Sequence, residues 1–163
     1  MRASAPGEEP LADPFESDTH HLVTRKIAVS AELGYQRFCQ VERIPEWLPS
    51  VSIIGVERRY PDGLPEEVRF ESSLGGKRFE YTLRYVYDAH HLRIAWYTRQ
   101  EEPYVFQGHC QFTARGDQAY MLYSFFEPQG PRAMHSRSRE ERADYARQVA
   151  EAFSGWLAVA GDG

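Results

Sequence analysis

The chain has 163 residues, 42% hydrophobic and 13% aromatic, which is enough for one domain with a sizeable core. Its net charge of −5 argues against non-specific nucleic-acid binding. No apolar run is long enough to span a bilayer, and the N-terminus lacks the basic and apolar parts of a signal peptide, so a soluble, cytoplasmic protein without an integral membrane segment is expected. Cys39 and Cys110 lie in unrelated segments without metal-type spacing and read as two buried free thiols.

In chain order, residues 1–18 are rich in proline and acids with little to bury, and read as a flexible tail in front of a domain spanning 19–163. From His21 the stretch "HLVTRKIAVSA" reads as a strand. "ELGYQRFCQVER" follows at helical spacing, with Leu33, Phe38 and Val41 as candidates for one face. Then comes "IPEWLP" at 44–49. Pro45 biases Ile44 away from helical angles and Pro49 does the same to Leu48, which predicts a short rigid turn holding Trp47 at a fixed angle. Taken alone, that Trp is most simply a plug for a core.

Six strands follow: "VSIIGVERRY", "EVRFESSL", "KRFEYTLRYVY", "LRIAWYTR", "YVFQGHCQFTA" and "AYMLYSFFE". Pro61-Asp62-Gly63, Gly75-Gly76, "DAHH", "QEEP" and "RGDQ" separate them, and Gly75-Gly76 is a strong two-residue hairpin turn. A Pro/Arg-rich loop at 128–137 ends the meander. Ser138 to Glu141 then form a capping box that opens a helix to about Ala160. Tyr145, Val149, Phe153, Trp156 and Leu157 make one long apolar stripe, which must be covered, most simply by the sheet.

The hairpins let the parity of the sheet be worked out. With Gly75-Gly76 as turn residues, Phe70 pairs with Tyr81 and Val68 with Leu83 on one face. Glu67 with Arg84 and Arg69 with Thr82 make the other, solvated face. Across "DAHH" the expected partners are Tyr85 with Ile94 and Leu83 with Trp96. Across "RGDQ" they are Cys110 with Tyr123 and Phe112 with Met121. One face therefore carries Phe70, Tyr81, Leu83, Tyr85, Ile94, Trp96, Phe106, Phe112, Met121 and Tyr123, while Gln107, His109, Leu122 and Phe126 fall on the other. A buried tyrosine must find a partner for its hydroxyl, so a face this rich in Tyr and Trp is either an amphiphilic pocket or an aromatic-rich packed core.

The order strand, helix, proline corner, six-strand meander and long final helix, together with "VERIPEWLP", resembles the START-like (SRPBCC) superfamily, particularly its polyketide cyclase/dehydrase and coenzyme-Q-binding branch. Glu42 and Ile44-Pro45-Glu46-Trp47 occupy the places of the family's acidic residue and proline–aromatic corner, with Ile44 where an aromatic is common. "VFQGHCQF" looks like the family's strand with a glycine beside the cavity, and Cys110 stands where a bulkier residue is frequent. The resemblance covers roughly residues 20–160. It implies an α+β helix-grip fold, in which a seven-stranded curved antiparallel sheet wraps the C-terminal helix and encloses a cavity closed at one end by short helices. Trp47, Phe70, Tyr81, Leu83, Tyr85, Ile94, Trp96, Phe106, Cys110, Met121, Tyr123, Val149 and Phe153 are the candidate ligand-binding residues.

No nucleophile constellation is present, and the histidines lack carboxylates at metal-ligand spacing, so neither a metal nor a cofactor is expected. Arg25 shares parity with Val23 and Ile27 and is the one candidate catalytic group, able to polarise a carbonyl if it points inward; near a strand end the simpler reading is that it snorkels out. Three functions stay open. The first is binding of a small hydrophobic ligand, aromatic, polyketide-like or isoprenoid-like, by a monomer or weak homodimer. The second is a polyketide aromatase/cyclase or dehydrase using Arg25 with Tyr85 or Tyr123. The third is a protein-interaction domain without a ligand.

Overall fold

The computed structural model describes residues 21–99, 101–127 and 139–160. The tail expected at 1–18, the loop at 128–137 and the Ser138 cap lie outside the described residues.

Strand β1 (His21–Ile27) leads to Ser30, whose hydroxyl accepts from the Leu33 amide at 3.1 Å and opens α1 (Ala31–Phe38). Gly34 lets this helix lie directly on the sheet: a methyl there would sit 2.7 Å from Ile27 Cδ1 and 2.9 Å from Phe112 Cδ1. The close approach points Phe38, at the end of α1, into the interior, where it is buried.

A 3-10 turn (Val41–Arg43) and a single helical turn, α2 (Ile44–Trp47), form the proline corner. Here the sequence expectation needs correction. Ile44 is helical, at φ −49° and ψ −42°, although Pro45 follows it. Proline is tolerated in a first turn because the amide it lacks would have no intrahelical partner there. The turn is closed by the Leu48 amide donating to the Ile44 carbonyl at 2.8 Å and by an Arg43–Glu46 fork with both bonds at 2.9 Å. Leu48, before Pro49, leaves the helix at φ −132° as expected.

The remaining strands are β2 (Val51–Arg59), β3 (Pro65–Leu74), β4 (Lys77–Asp88), β5 (Arg93–Thr98), β6 (Gln107–Arg115) and β7 (Gln118–Phe126). They form one antiparallel sheet in the order β1-β7-β6-β5-β4-β3-β2. Helix α3 (Arg139–Ala160) packs on β1, β7, α1 and α2. Ala146, Val149, Ala150, Phe153 and Leu157 are its buried face, and Tyr145 and Trp156 are half-buried at its margins. This is the helix-grip architecture, a curved sheet closed over its final helix.

Gly75 and Gly76 both take positive φ, and the β3–β4 pairs are those expected, Phe70 with Tyr81 and Val68 with Leu83. The β6–β7 pairs Cys110 with Tyr123 and Phe112 with Met121 also stand as expected. The β4–β5 register differs by two residues: Tyr85 lies opposite Trp96, Tyr87 opposite Ile94 and Leu83 opposite Thr98. Strand β4 runs on to Asp88, and the reversal is a 3-10 turn (Ala89–His91) ending on Leu92 at φ +53°. Asp88 accepts from the His91 amide at 3.3 Å and from Arg93 at 2.8 Å, which ties it to the turn and to the first residue of β5. A slip of two leaves every side chain on its expected face.

The outer face is the second correction. Parity alone puts Glu67, Arg84 and Thr82 in solvent, yet all three are buried. Irregular pairing between β2 and β3 near Arg58 sets Glu66 and Glu67 side by side. Arg84 binds Glu66 at 2.9 Å, Arg99 binds Glu67, and Arg58 lies 3.8 Å from both carboxylates. The charges are therefore paired within a network, as burial requires. Gln107 and His109 do fall on the outer face, and both are buried there.

Candidate ligand cavity

The inner face of the sheet, α1, α2 and α3 surround one cavity. Phe70, Tyr81, Leu83, Tyr85, Trp96, Phe106, Tyr123 and Phe125 come from the sheet and the loop before β6; Val51 starts β2. Phe38, Ile44, Trp47 and Leu48 come from the helical corner, and Tyr145 and Val149 from α3. Ile44, Leu48 and Tyr145 are the half-buried members of this wall, so the opening lies between α2 and the start of α3. The enclosed space is about 60 Å³, and all gaps out to the open mouth amount to about 530 Å³. A buried water needs roughly 10–15 Å³ on the smaller measure. As it stands the cavity has room for a few waters, and a ring-sized ligand enters only by moving side chains.

What fills the rest of the interior is a block of rings. Phe38 stacks on Trp96 at 5.7 Å between centroids, lies 5.8 Å from Trp47, and meets Phe153 edge-on at 4.9 Å. Trp47 in turn meets Phe153 at 5.2 Å. Arg43, held by Glu46, lies 4.9 Å from the Trp156 ring and joins the proline corner to the later half of α3. Trp47 is thus both part of the wall and packed core, and the proline corner holds it there.

Trp96 owes its place to Gly108. A methyl on Gly108 would sit 2.6 Å from Trp96 Cζ2 and 2.8 Å from the Ser124 carbonyl oxygen, so the indole occupies the space where a side chain would stand. Trp96 can therefore lie across β6 toward β7, reaching Tyr123 at 5.7 Å, while Tyr85 flanks it from β4 at 6.3 Å.

None of the described lining side chains carries a charge; their polar atoms are phenols and indoles. The Tyr81 hydroxyl bonds to the Ser72 hydroxyl. The hydroxyls of Tyr85 and Tyr123 make no hydrogen bond to any described residue, although both residues are only 3% exposed. Burial pushes the Tyr81 phenol up to about 12 and holds those of Tyr85 and Tyr123 well above their ordinary value. All three are neutral donors at ordinary pH. Burial likewise raises the Cys39 thiol to about 12 and the Cys110 thiol well above its ordinary value, so neither is a ready nucleophile.

Of the residues singled out in the sequence, Trp47, Phe70, Tyr81, Leu83, Tyr85, Trp96, Phe106, Tyr123 and Val149 line the cavity. Ile94, Cys110, Met121 and Phe153 do not; each is fully buried in the packed core outside the lining. Arg25 has inward parity, opposite Met121, but stands on the edge strand with its head in solvent, 3.4 Å from Glu151 of α3. It does not reach the cavity. Phe38, Ile44, Leu48, Val51, Phe125 and Tyr145 also line it. Parity with Tyr123 marks Phe125, and the α3 stripe marks Tyr145, whereas the other four follow from how the corner folds back.

No family model matches the sequence, and no curated protein matches it. Among solved structures, a START superfamily protein from Mycobacterium smegmatis superposes with a TM-score of 0.65 at 20% identity, over 85% of this chain and 97% of that one. A protein from Thermus thermophilus gives 0.69 at 14% identity, over 85% and 97%. The di-domain ARO/CYC protein BexL from the BE-7585A biosynthetic pathway gives 0.63 at 14% identity, over 87% of this chain and 47% of that one. The chain has the START-like helix-grip fold that these structures share. No described helix is long and apolar enough to cross a membrane, and no described cluster of His, Cys, Asp and Glu is placed to hold a metal ion.

Proposed function

We propose that the protein binds a small hydrophobic ligand in this cavity, as a cytoplasmic monomer or weak homodimer working without cofactor or nucleic acid. The observation that carries the reading is an aromatic wall in which two buried phenols have no hydrogen-bond partner among the described residues. Neither hydroxyl oxygen is among the described buried polar atoms that lack a partner, so both open onto the cavity, where water or a ligand can pair with them. A ligand that displaces such waters can accept from both phenols. The aromatase/cyclase alternative needs an acid/base pair facing the substrate, and no described lining residue ionises near neutral pH. Binding is therefore the reading supported best.

Native mass spectrometry of freshly purified protein, together with titration of a fluorescent hydrophobic probe, tests it. A co-purifying small molecule or saturable probe binding at one site is expected. A ligand-free chain that binds no probe points instead to a domain with a filled interior.

A further inference from the structure

Resting on that reading, we infer that Trp47 plugs the cavity of the empty protein, and that α2 tilts away from α3 to admit a ring-sized ligand against a clasp of Arg43, Glu46 and Trp156. The first observation is space. The enclosed volume is about 60 Å³, whereas a dry cavity of about 150 Å³ is the scale that holds one benzene. A large side chain of the wall therefore has to leave. Trp47 is in that wall, 6% exposed, with its ring 5.2 Å from Phe153.

The second observation is which element yields. The lining strands β3 to β7 are held by ladders to their neighbours, and α3 is pinned by a buried face running from Ala146 to Leu157. Helix α2 is a single turn of four residues, too short for cooperative helix stability, and Trp47 is its buried side chain. Ile44 and Leu48, at its two ends, stand half-buried at the mouth. One tilt of α2 thus widens the mouth and withdraws the indole together.

The third observation is what resists the tilt. Arg43 grips Glu46 through two bonds of 2.9 Å and lies 4.9 Å from the Trp156 ring. Arg43, and less strongly the Trp156 indole, hold the Glu46 carboxyl below its ordinary value, so the pair is charged at neutral pH. Trp156 lies eleven residues beyond Tyr145, about 16 Å along the helix. The clasp therefore pins α2 at the end of α3 away from the mouth. Both charged side chains are well exposed, at 37% and 49%, so the clasp is weak enough for a ligand to undo.

Titration of the full chain with N-phenyl-1-naphthylamine, a neutral fluorescent ring compound, tests the clasp. Because the clasp opposes binding, breaking it should tighten binding, the reverse of what general damage to the wall produces. Glu46→Gln should raise affinity about threefold, the scale of one exposed ion pair. Arg43→Gln, which also loses the ring contact, should raise it about fivefold, and the double variant no further. Added salt, which screens an exposed pair, should tighten binding to the parent more than to Glu46→Gln. Glu151→Gln removes the Arg25 pair that ties α3 to β1 and should leave affinity unchanged. Unchanged or weaker binding in both clasp variants, or an equal gain in Glu151→Gln, overturns this inference and leaves ligand binding standing. Absence of binding by the parent and all variants overturns both.

Discussion

Replacing Gly108 with alanine puts a methyl carbon where the Trp96 indole now lies, 2.6 Å from Cζ2 and 2.7 Å from Cε2. Such a distance is well inside van der Waals contact, so something must yield. The third neighbour, the Ser124 carbonyl oxygen at 2.8 Å, belongs to the backbone of β7, whose ladder with β6 resists a shift. The indole therefore moves, and the space open to it is the cavity. Overpacking of this kind costs about 1–3 kcal/mol. With only about 60 Å³ enclosed, the displaced ring also competes with any ligand, and probe affinity should fall about tenfold, or about 1.4 kcal/mol. Urea denaturation followed by circular dichroism measures the first quantity. Probe titration of the same preparation measures the second, and a change in tryptophan emission reports the moved indole. If Gly108→Ala matches the parent in stability within about 0.5 kcal/mol and binds the probe equally well, the account of how Trp96 is placed is wrong.

Gly155 is the natural contrast, being exposed on α3 with nothing within 4 Å of an added methyl. Gly155→Ala should stabilise the protein by about 0.5–1 kcal/mol through helix propensity, and a loss in thermal melting would contradict the packing described. Alkaline titration tests the buried phenols. Their proton affinity is raised in the folded state, so stability is intact below the ordinary tyrosine value of 10 and falls as pH rises toward 12, while the unfolded chain alone loses protons. Tyr81, Tyr85 and Tyr123 together should give a loss of about 4 kcal/mol per pH unit, with their tyrosinate absorbance appearing only as circular dichroism is lost. Full ionisation of all ten tyrosines in the native protein would refute it. Arg84→Met removes the near partner of buried Glu66 and should cost about 3 kcal/mol, at the lower end for such changes because Arg58 remains. A neutral effect in chemical denaturation would show that the outer-face network adds nothing to stability.

Local chemistry determined the kinds of elements, their order and which side of the sheet each residue faces. Gly75-Gly76 allows essentially one tight reversal, so the pairing of Phe70 with Tyr81 follows from two adjacent residues. The alternation of side chains has period two, so even the two-residue error at Asp88 kept Tyr85 and Trp96 inside. That parity, with the α3 stripe and the proline corner, was enough to mark nine residues of the cavity wall. It could not separate Tyr85, which lines the cavity, from Ile94, which is sealed in the core, because both share one face. It also suggested a solvated pairing of Glu67 with Arg84 where the fold makes a buried network, whereas the outward reading of Arg25 near its strand end is the one the structure shows, beside Glu151 of α3. These outcomes depend on sheet curvature, the β2–β3 irregularity and the angle at which Gly34 lets α1 descend on β6. Each is a distance between residues far apart in the chain, set only when the helices close on the sheet, and so tertiary packing alone decided where space was left.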